Sequence, residues 1–160
     1  MSQEEIERIR KIFSELKLNP TFIEHEAVLT SEEAAKTRGF QLKQGIKAIL
    51  FTNGNDYVLA NVPADKKVDQ KRVAEAVGWR KSEIKMATPE QVLETTGCEI
   101  GSVPPFGHKN KIKLLVDFGV YNNVESDFNV GLRTSSVKIK TEEMKKVFAH
   151  VGASEGEFAK

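Results

Sequence analysis

Apolar residues recur along the chain with two different periods, and these periods predict most of its helices and strands. The first apolar stripe, at steps of three and four residues, consists of Ile6, Ile9, Phe13 and Leu16. It predicts an amphipathic helix over residues 3–17. Residues 44–52 are apolar on both alternating faces, a turn follows at 53–56, and residues 57–62 are apolar again. This pattern predicts a β-hairpin whose first strand is central in a sheet.

Capping residues and further apolar runs divide the rest of the chain. Further strands are predicted at residues 21–25, 112–118, 124–129 and 135–140, and Lys85 falls in a short extended piece. Helices are predicted to begin at the caps Thr30, Asp69, Thr88 and Thr141, and the first three to end at Gly39, Gly78 and Gly97. The tail 152–160 is small and polar, and we expect it to be frayed. This mixed order predicts one α+β domain, residues 1–160, around one sheet.

Composition and charge limit the classes of function. The chain has 160 residues, 39% hydrophobic and 29% charged, which is typical of a globular protein with its own core. No apolar run is long enough for a membrane span, the first residues do not resemble a signal peptide, and Cys98 is the only cysteine. We therefore expect a cytoplasmic protein without disulfides or a cysteine-based zinc site.

The small net charge of +1 hides a segregation of charge along the chain. Residues 1–34 carry a balance of −4, residues 35–113 of +6 and residues 114–160 of −1. The middle segment is thus the candidate surface for a polyanion such as RNA, although the same lysines and arginines could simply form solvated faces.

Lys47 is the most unusual residue of the predicted hairpin. Alternation places it on the same face as Ile49 and Phe51, where an ammonium group is costly unless it meets an anion, faces a cavity or reaches solvent from the strand end. It could therefore be a snorkelling side chain, or it could hold a carbonyl, a phosphate or a developing oxyanion at the floor of a pocket.

The loop at residues 101–107, with sequence GSVPPFG, is the second unusual feature. Two glycines and two prolines suit a fixed loop whose backbone N–H groups approach a ligand closely, but they also suit an ordinary tight connection. The sequence contains neither a G-x-S-x-G motif nor a hydrolytic triad, and Cys98 is interpreted as a packed small residue. The three histidines, His25, His108 and His150, lack the spacing of metal ligands, and we expect no metal and no cofactor.

Five motifs in this order resemble one family. They are His25-Glu26 with residues 30–35 (TSEEAA), residues 45–51 (GIKAILF), Asp69 with Lys71-Arg72-Val73-Ala74, the loop 101–107, and Asn129-Val130-Gly131. Their order and spacing over residues 20–150 resemble the YbaK family, the free-standing relatives of the editing domain of bacterial prolyl-tRNA synthetase. The resemblance implies a mixed, partly barrelled β-sheet flanked by helices.

The same resemblance implies hydrolysis of the ester bond of mischarged tRNA, commonly alanyl- or cysteinyl-tRNA(Pro). Such editing is needed because a synthetase pocket built for proline rejects smaller amino acids by only ~1–3 kcal/mol. The implied catalytic positions are Lys47, Gly101 and Pro105, and the implied substrate-binding positions are Ile23, His25, Ala48, Ser102, Val103, Gly107, Gly131 and Arg133. Water would attack with help from the ribose hydroxyl, while Lys47 and the 101–107 loop position the aminoacyl-adenosine end.

Two departures leave the amino acid open. Some alanine editors of the family carry a histidine where this chain has Arg133, and the cysteine-editing branch has a tyrosine where this chain offers Phe22 or Ile23. Alanine, cysteine, serine and threonine all stay open. The expected partners are mischarged tRNA and a synthetase such as prolyl-tRNA synthetase, with no membrane. A non-catalytic module that binds tRNA ends or a synthetase, and a deacylase of other small esters, are the alternatives.

Overall fold

Helices and strands form close to the positions that the caps and apolar runs predict. The computed structural model describes residues 2–24, 42–131 and 134–160. Within these ranges the α-helices are α1 (Ser2–Glu15), α2 (Gln70–Val77), α3 (Pro89–Thr96) and α4 (Thr141–His150). The strands are β1 (Thr21–Glu24), β2 (Ile46–Thr52), β3 (Tyr57–Pro63), β4 (Lys85–Met86), β5 (Lys113–Asp117), β6 (Glu125–Asn129), β7 (Ser135–Lys140) and β8 (Ser154–Gly156). The helix predicted from Thr30 to Gly39 lies outside the described residues.

The strands form two sheets rather than the single sheet expected. One sheet is antiparallel with the order β1-β7-β6, and the other has the order β4-β2-β3-β5-β8 with parallel β3–β5 and β5–β8 pairs. A parallel bridge between Gly45 and Asp127 joins β2 of the larger sheet to β6 of the smaller one. The α+β class is confirmed, and the bridge connects the two sheets at this point.

Two apolar clusters hold the sheets and helices together. The first cluster draws side chains from both sheets and from α1, α3 and α4, with Phe13, Phe106 and Phe128 in successive edge-to-face contacts. The second cluster covers the opposite face of the larger sheet, where Phe51 and Leu115 pack with Val73 of α2. The central β2–β3 hairpin is therefore covered on both faces, as its apolar pattern predicts.

The caps of the two middle helices are confirmed. The Asp69 carboxylate accepts from the Arg72 amide at the start of α2, and Thr88 forms a reciprocal capping box with Gln91 at the start of α3. Thr141 differs, because it is the first residue of α4 and its hydroxyl is hydrogen bonded to Ser126 Oγ at 2.8 Å instead of capping.

The prediction of a frayed tail is wrong. Residues 154–156 form β8 beside β5, and Phe158 is buried in the second cluster. The Asp117 carboxylate accepts from the amides of Phe158 at 2.7 Å and Ala159 at 3.1 Å, which fixes the tail to the end of β5. None of the helices in the described residues is long and apolar enough to cross a membrane.

Candidate active site

Lys47 lies on the outer face of the central hairpin. It pairs across the ladder with Val62, which belongs to the second cluster, whereas its neighbour Ala48 pairs with Asn61 on the face of the first cluster. Paired residues share a face of an antiparallel sheet, so Lys47 and Ala48 lie on opposite faces. The predicted face of Lys47, shared with Ile49 and Phe51, is confirmed, and its side chain is half-buried.

The bridge between the sheets brings a second set of residues to this outer face. Lys47 comes two residues after Gly45, and Asn129 comes two residues after Asp127. Because the bridged strands are parallel and side chains alternate, Lys47 and Asn129 lie on the same face. Asn129 continues across the smaller sheet in register with Ser136 and Ile23. We call the surface formed by Lys47, Asn129, Ser136, Ile23 and Gly101 the junction face.

Gly101 joins the junction face through Asn129, whose side-chain amide donates to the Gly101 carbonyl at 2.9 Å. Gly101 is exposed and has a φ of +88°, which favours glycine. No acceptor in the described part of the chain takes a hydrogen bond from the Gly101 amide. This N–H group is therefore available to a ligand.

The other end of the loop is anchored in the protein interior. Buried Asn61 donates to the carbonyl of Pro105 at 3.2 Å, and Arg8 of α1 donates to the carbonyl of Gly107 at 3.0 Å. The ring of His108 donates from Nε2 to the carbonyl of Pro104 at 2.6 Å, in the tautomer that carries this proton. These side chains fix the loop that presents Gly101.

Gly131 supports the same loop from the end of β6. Its amide donates to the Ser102 carbonyl at 3.0 Å, and its φ is +97°. A Cβ at this position would lie 3.1 Å from Cβ of Glu5 and 3.4 Å from Sγ of Cys98. Glu5 is 1% exposed and is paired at 2.9 Å with the partly exposed Arg8, so α1 places a buried carboxylate and its ion pair against the loop.

Burial shifts the pKa of three groups in and near the site. Burial lowers the pKa of Lys47, while the nearby Asp65 carboxylate opposes that shift and Lys67 adds to it. Burial lowers the pKa of His108 to about 4, so its ring is neutral at pH 7. Burial and the Glu5 charge raise the pKa of Cys98 to about 12, so this thiol is protonated and is no nucleophile at neutral pH.

The structure separates the predicted site residues into two groups. Ile23 and Gly101 lie with Lys47 on the junction face, and Gly131 adjoins the loop there. The predicted residues that pack inward or fix the loop are Ala48, Ser102, Val103, Pro105 and Gly107. His25 and Arg133 lie outside the described residues. The loop thus has an exposed end at Gly101 and a buried end at residues 103–107.

Several residues that shape the site were not predicted from the sequence. Asn61, like Lys47, is a polar residue within an apolar strand, and this pattern could have indicated a buried hydrogen-bonding role. Glu5 and Arg8 have the spacing of an ion pair on α1, but only the fold shows that the pair lies beneath the loop. His108 drew attention in the sequence only as one of three histidines, whereas the fold places it half-buried against the loop.

Among the described residues, no cluster of three or more histidine, cysteine, aspartate or glutamate side chains could hold a metal ion. Near the loop, the Cys98 thiol is packed in the core, and the His108 imidazole is hydrogen bonded to the carbonyl of Pro104. The junction face instead offers the Lys47 amine, the exposed Gly101 N–H group and the half-buried Asn129 side chain, while Ser136 on this face is fully buried. Such groups can bind and polarise an ester substrate.

The fold and these motifs define an aminoacyl-tRNA editing domain. The model of the aminoacyl-tRNA editing domain family matches residues 25–147, and the chain belongs to this family. It is accordingly a deacylase, a hydrolase of the ester bond in aminoacyl-tRNA. The YbaK-type resemblance and the fold it implies are confirmed.

Two curated relatives and one solved structure are similar to the chain. It is 37% identical over 124 residues to the multifunctional Ser/Thr-tRNA deacylase ProXp-y of Escherichia coli K12, covering 74% of this chain and 73% of that protein. It is 28% identical over 110 residues to the proline–tRNA ligase of Thermosipho melanesiensis, covering 69% of this chain and 19% of the ligase. A crystal structure of a protein proposed to be a trans-editing enzyme for prolyl-tRNA synthetase has a TM-score of 0.82 at 24% identity, covering 98% and 97% of the two chains. This last likeness concerns the fold.

Proposed function

We propose that this protein removes a small, wrongly attached amino acid from tRNA at the junction face. The observation that carries the proposal is the half-buried amine of Lys47 on the same face as the exposed Gly101 amide. Hydrolysis of an aminoacyl ester requires one group that stabilises negative charge on the carbonyl oxygen and other groups that hold the ribose in place. The amine and the loop amide are suited to these two tasks.

In this mechanism the protein positions the substrate and water supplies the nucleophile. Lys47 anchors the aminoacyl carbonyl or the terminal phosphate, and the amides near Gly101 hold the terminal ribose and adenosine. Water adds to the carbonyl carbon, the ester C–O bond breaks, and the water proton ends on the departing ribose oxygen with help from the neighbouring hydroxyl. The protonated, buried thiol of Cys98 and the hydrogen-bonded ring of His108 support a mechanism without a protein nucleophile.

Pro105 takes part through the loop rather than by touching the substrate. Its carbonyl is held by Asn61, and the ring fixes the backbone between the buried end of the loop and Gly101. A preorganised donor costs no reorganisation when charge develops in the transition state. We therefore expect substitutions of Pro105 to lower the rate of deacylation, because the Gly101 amide would no longer be held in one position.

The first candidate substrates are alanyl- and cysteinyl-tRNA(Pro). A related domain forms about a fifth of the Thermosipho melanesiensis proline–tRNA ligase, and proline pockets admit smaller amino acids. A synthetase, prolyl-tRNA synthetase above all, would then be the partner that supplies tRNA identity. The half-buried Ile23 gives the junction face an apolar surface suited to a small acyl side chain.

Seryl- and threonyl-tRNA are the second candidates, for two reasons. The relative with 37% identity is named a Ser/Thr-tRNA deacylase. In addition, Ser136 Oγ and Asn129 Oδ1 are buried on the junction face and have no hydrogen-bond partner in the described residues. A substrate hydroxyl could satisfy either atom, and buried polar atoms are rarely left unpaired.

A panel of mischarged tRNAs tests the proposal and separates the candidates. Alanyl-, cysteinyl-, seryl- and threonyl-tRNA are incubated with the protein, and release of the free amino acid is followed under single-turnover conditions. We expect rapid release from at least one of them and none from correctly charged prolyl-tRNA(Pro). Lack of release from every member of the panel would contradict the proposal.

A further inference from the structure

A concave site close to the turn that follows β3 has no role in the mechanism above. It is a cavity of about 320 Å³ between the turn after β3, the start of α2, the end of β5 and the C-terminal segment. The lining residues that matter here are Lys66, Arg72, Asp117, Phe118, Glu157 and Lys160. The cavity thus combines three cations and an aromatic ring with two carboxylates.

Both carboxylates are already occupied by the protein. Asp117 accepts from three backbone amides, those of Gly119 at 2.8 Å, Phe158 and Ala159. Glu157 is paired with Arg72 at 2.8 Å. Lys66 is exposed and forms no ion pair within the described part of the chain, so a cation remains for an external anion.

The aromatic ring is presented to solvent at the same site. Phe118 is 53% exposed although it follows a buried strand, because Asp117 caps the turn at residues 118–122 and holds it in place. An exposed ring beside a lysine that has no ion pair in the described residues is the usual arrangement for unpaired nucleotides, whose bases stack and whose phosphates bind lysine or arginine. An acidic peptide would use the cations but would gain less from a flat ring.

The turn after β3 connects this cavity to Lys47. The Ala64 amide donates to the Gly45 carbonyl at 2.8 Å, next to the start of β2. Asp65 and Lys67 of the same turn are the charges that act on the Lys47 amine. Lys66 lies between them in sequence and lines the cavity, so the amine and the cavity occupy adjoining parts of one surface.

We propose that this cavity binds an unpaired nucleotide of the tRNA 3′ end that precedes the terminal adenosine. The phosphate contacts Lys66, and the base stacks on Phe118. This inference rests on the proposed function, because the junction face must hold the aminoacyl-adenosine for the preceding nucleotide to reach the cavity.

The test compares two substrates that share the reacting ester. One is full-length mischarged tRNA, and the other is the same amino acid esterified to adenosine alone, which lacks the preceding nucleotides. The variants are Lys66→Ala and Phe118→Ala, and the matched control is Lys146→Ala, an exposed lysine of α4 outside the cavity. Binding of the tRNA is measured in parallel as a function of salt concentration.

We expect Phe118→Ala to lower kcat/KM for the tRNA about 5- to 100-fold, the usual loss of one stacked base. Lys66→Ala should weaken tRNA binding and reduce its salt slope by about 1. Both variants and the control should hydrolyse the aminoacyl-adenosine like the wild type. An equal loss on both substrates, or no loss on the tRNA, would overturn the inference.

The design separates failure of the inference from failure of the proposed function. If the wild type hydrolyses neither substrate, the proposed function fails, while the salt-dependent tRNA binding of the variants still decides whether the cavity binds RNA. If tRNA binding is unchanged in both variants but binding of a synthetase is lost, the cavity is a protein contact and the RNA proposal is wrong.

Discussion

Single polar residues inside apolar strands determine where this site forms. Lys47 interrupts β2 and Asn61 interrupts β3, one on each face of the hairpin. A buried polar group is costly unless it is paired, and Asn61 meets this cost by donating to the carbonyls of Pro105 and Leu115, both at 3.2 Å. Lys47 is only half-buried, and the Asp65 carboxylate favours its charged form.

His108 should make the stability of the protein depend on pH. Its pKa is about 4 in the folded state, against about 6.5 for an unfolded histidine. The lowered pKa means that its contribution to stability is complete above about pH 6.5 and is lost as the pH falls towards 4. We expect up to about 3 kcal/mol of the free energy of unfolding to be lost in this window.

Urea unfolding at about pH 7 and pH 4.5 measures this effect, with His108→Gln as the matched variant. Glutamine can still donate to the Pro104 carbonyl but does not titrate. The wild type should therefore lose more stability than the variant on acidification. An identical loss in both proteins would show that His108 is not the group responsible.

Among the helices and strands, the helices were the easier to predict, because their capping residues lie within a few positions of the helix they begin. Strands were harder to predict, because each depends on a partner strand far away in the sequence. The caps Asp69 and Thr88 act on amides three residues away, so their sequence neighbourhood contains the whole interaction. The strand β8 has three residues and is stabilised by β5, about forty residues earlier, and by Asp117. Nothing within residues 152–160 alone distinguishes such a strand from a frayed end.

The C-terminal segment should be an integral part of the fold. Phe158 is 5% exposed in the second cluster, so Phe158→Ala should lower the free energy of unfolding by about 3–5 kcal/mol. Phe118→Ala removes the same ring from an exposed position and should change stability by less than about 0.5 kcal/mol. Urea unfolding of both variants measures the difference, and equal effects would place the tail outside the core.

Gly131 connects β6 to the active-site loop, and a side chain there should impair catalysis. Gly131→Ala combines a positive φ with a contact of 3.1 Å to Glu5, so it should cost about 1–2 kcal/mol and displace the hydrogen bond to Ser102. We expect a loss of kcat/KM of about tenfold or more in the deacylation assay.

Gly54→Ala is the control for backbone strain. Gly54 has a φ of +101° in the hairpin turn, and a Cβ added there would meet no atom within 4 Å. Gly54→Ala should therefore lower the free energy of unfolding about as much as Gly131→Ala does, through backbone strain alone. Its deacylation rate should equal that of the wild type. Equal rates for both variants would mean that Gly131 does not position the loop.

At the scale of the whole molecule, the site assembles from segments far apart in the sequence. The sequence predicted Lys47 and the loop as unusual features, because each departs from the local pattern around it. Alternation along β2 already places Ala48 on the face opposite Lys47, but that Ile23 shares the face of Lys47 depends on the bridge between Gly45 and Asp127. The sequence also does not show that Lys66 of the basic middle segment and Phe118 line one cavity, since the fold brings them together.

If the amine of Lys47 acts in ester cleavage, removing its charge must slow deacylation, and single-turnover kinetics of Lys47→Met measure that loss. Methionine keeps a long side chain without the charge, and Lys85→Met, on β4 of the same sheet, is the matched control. We predict that Lys47→Met folds normally and loses about 10²–10³ in rate, as for removal of one preorganised charge-stabilising donor, while the control stays at the wild-type rate. A folded Lys47→Met protein that deacylates mischarged tRNA as fast as the wild type would show that the amine takes no part in ester cleavage.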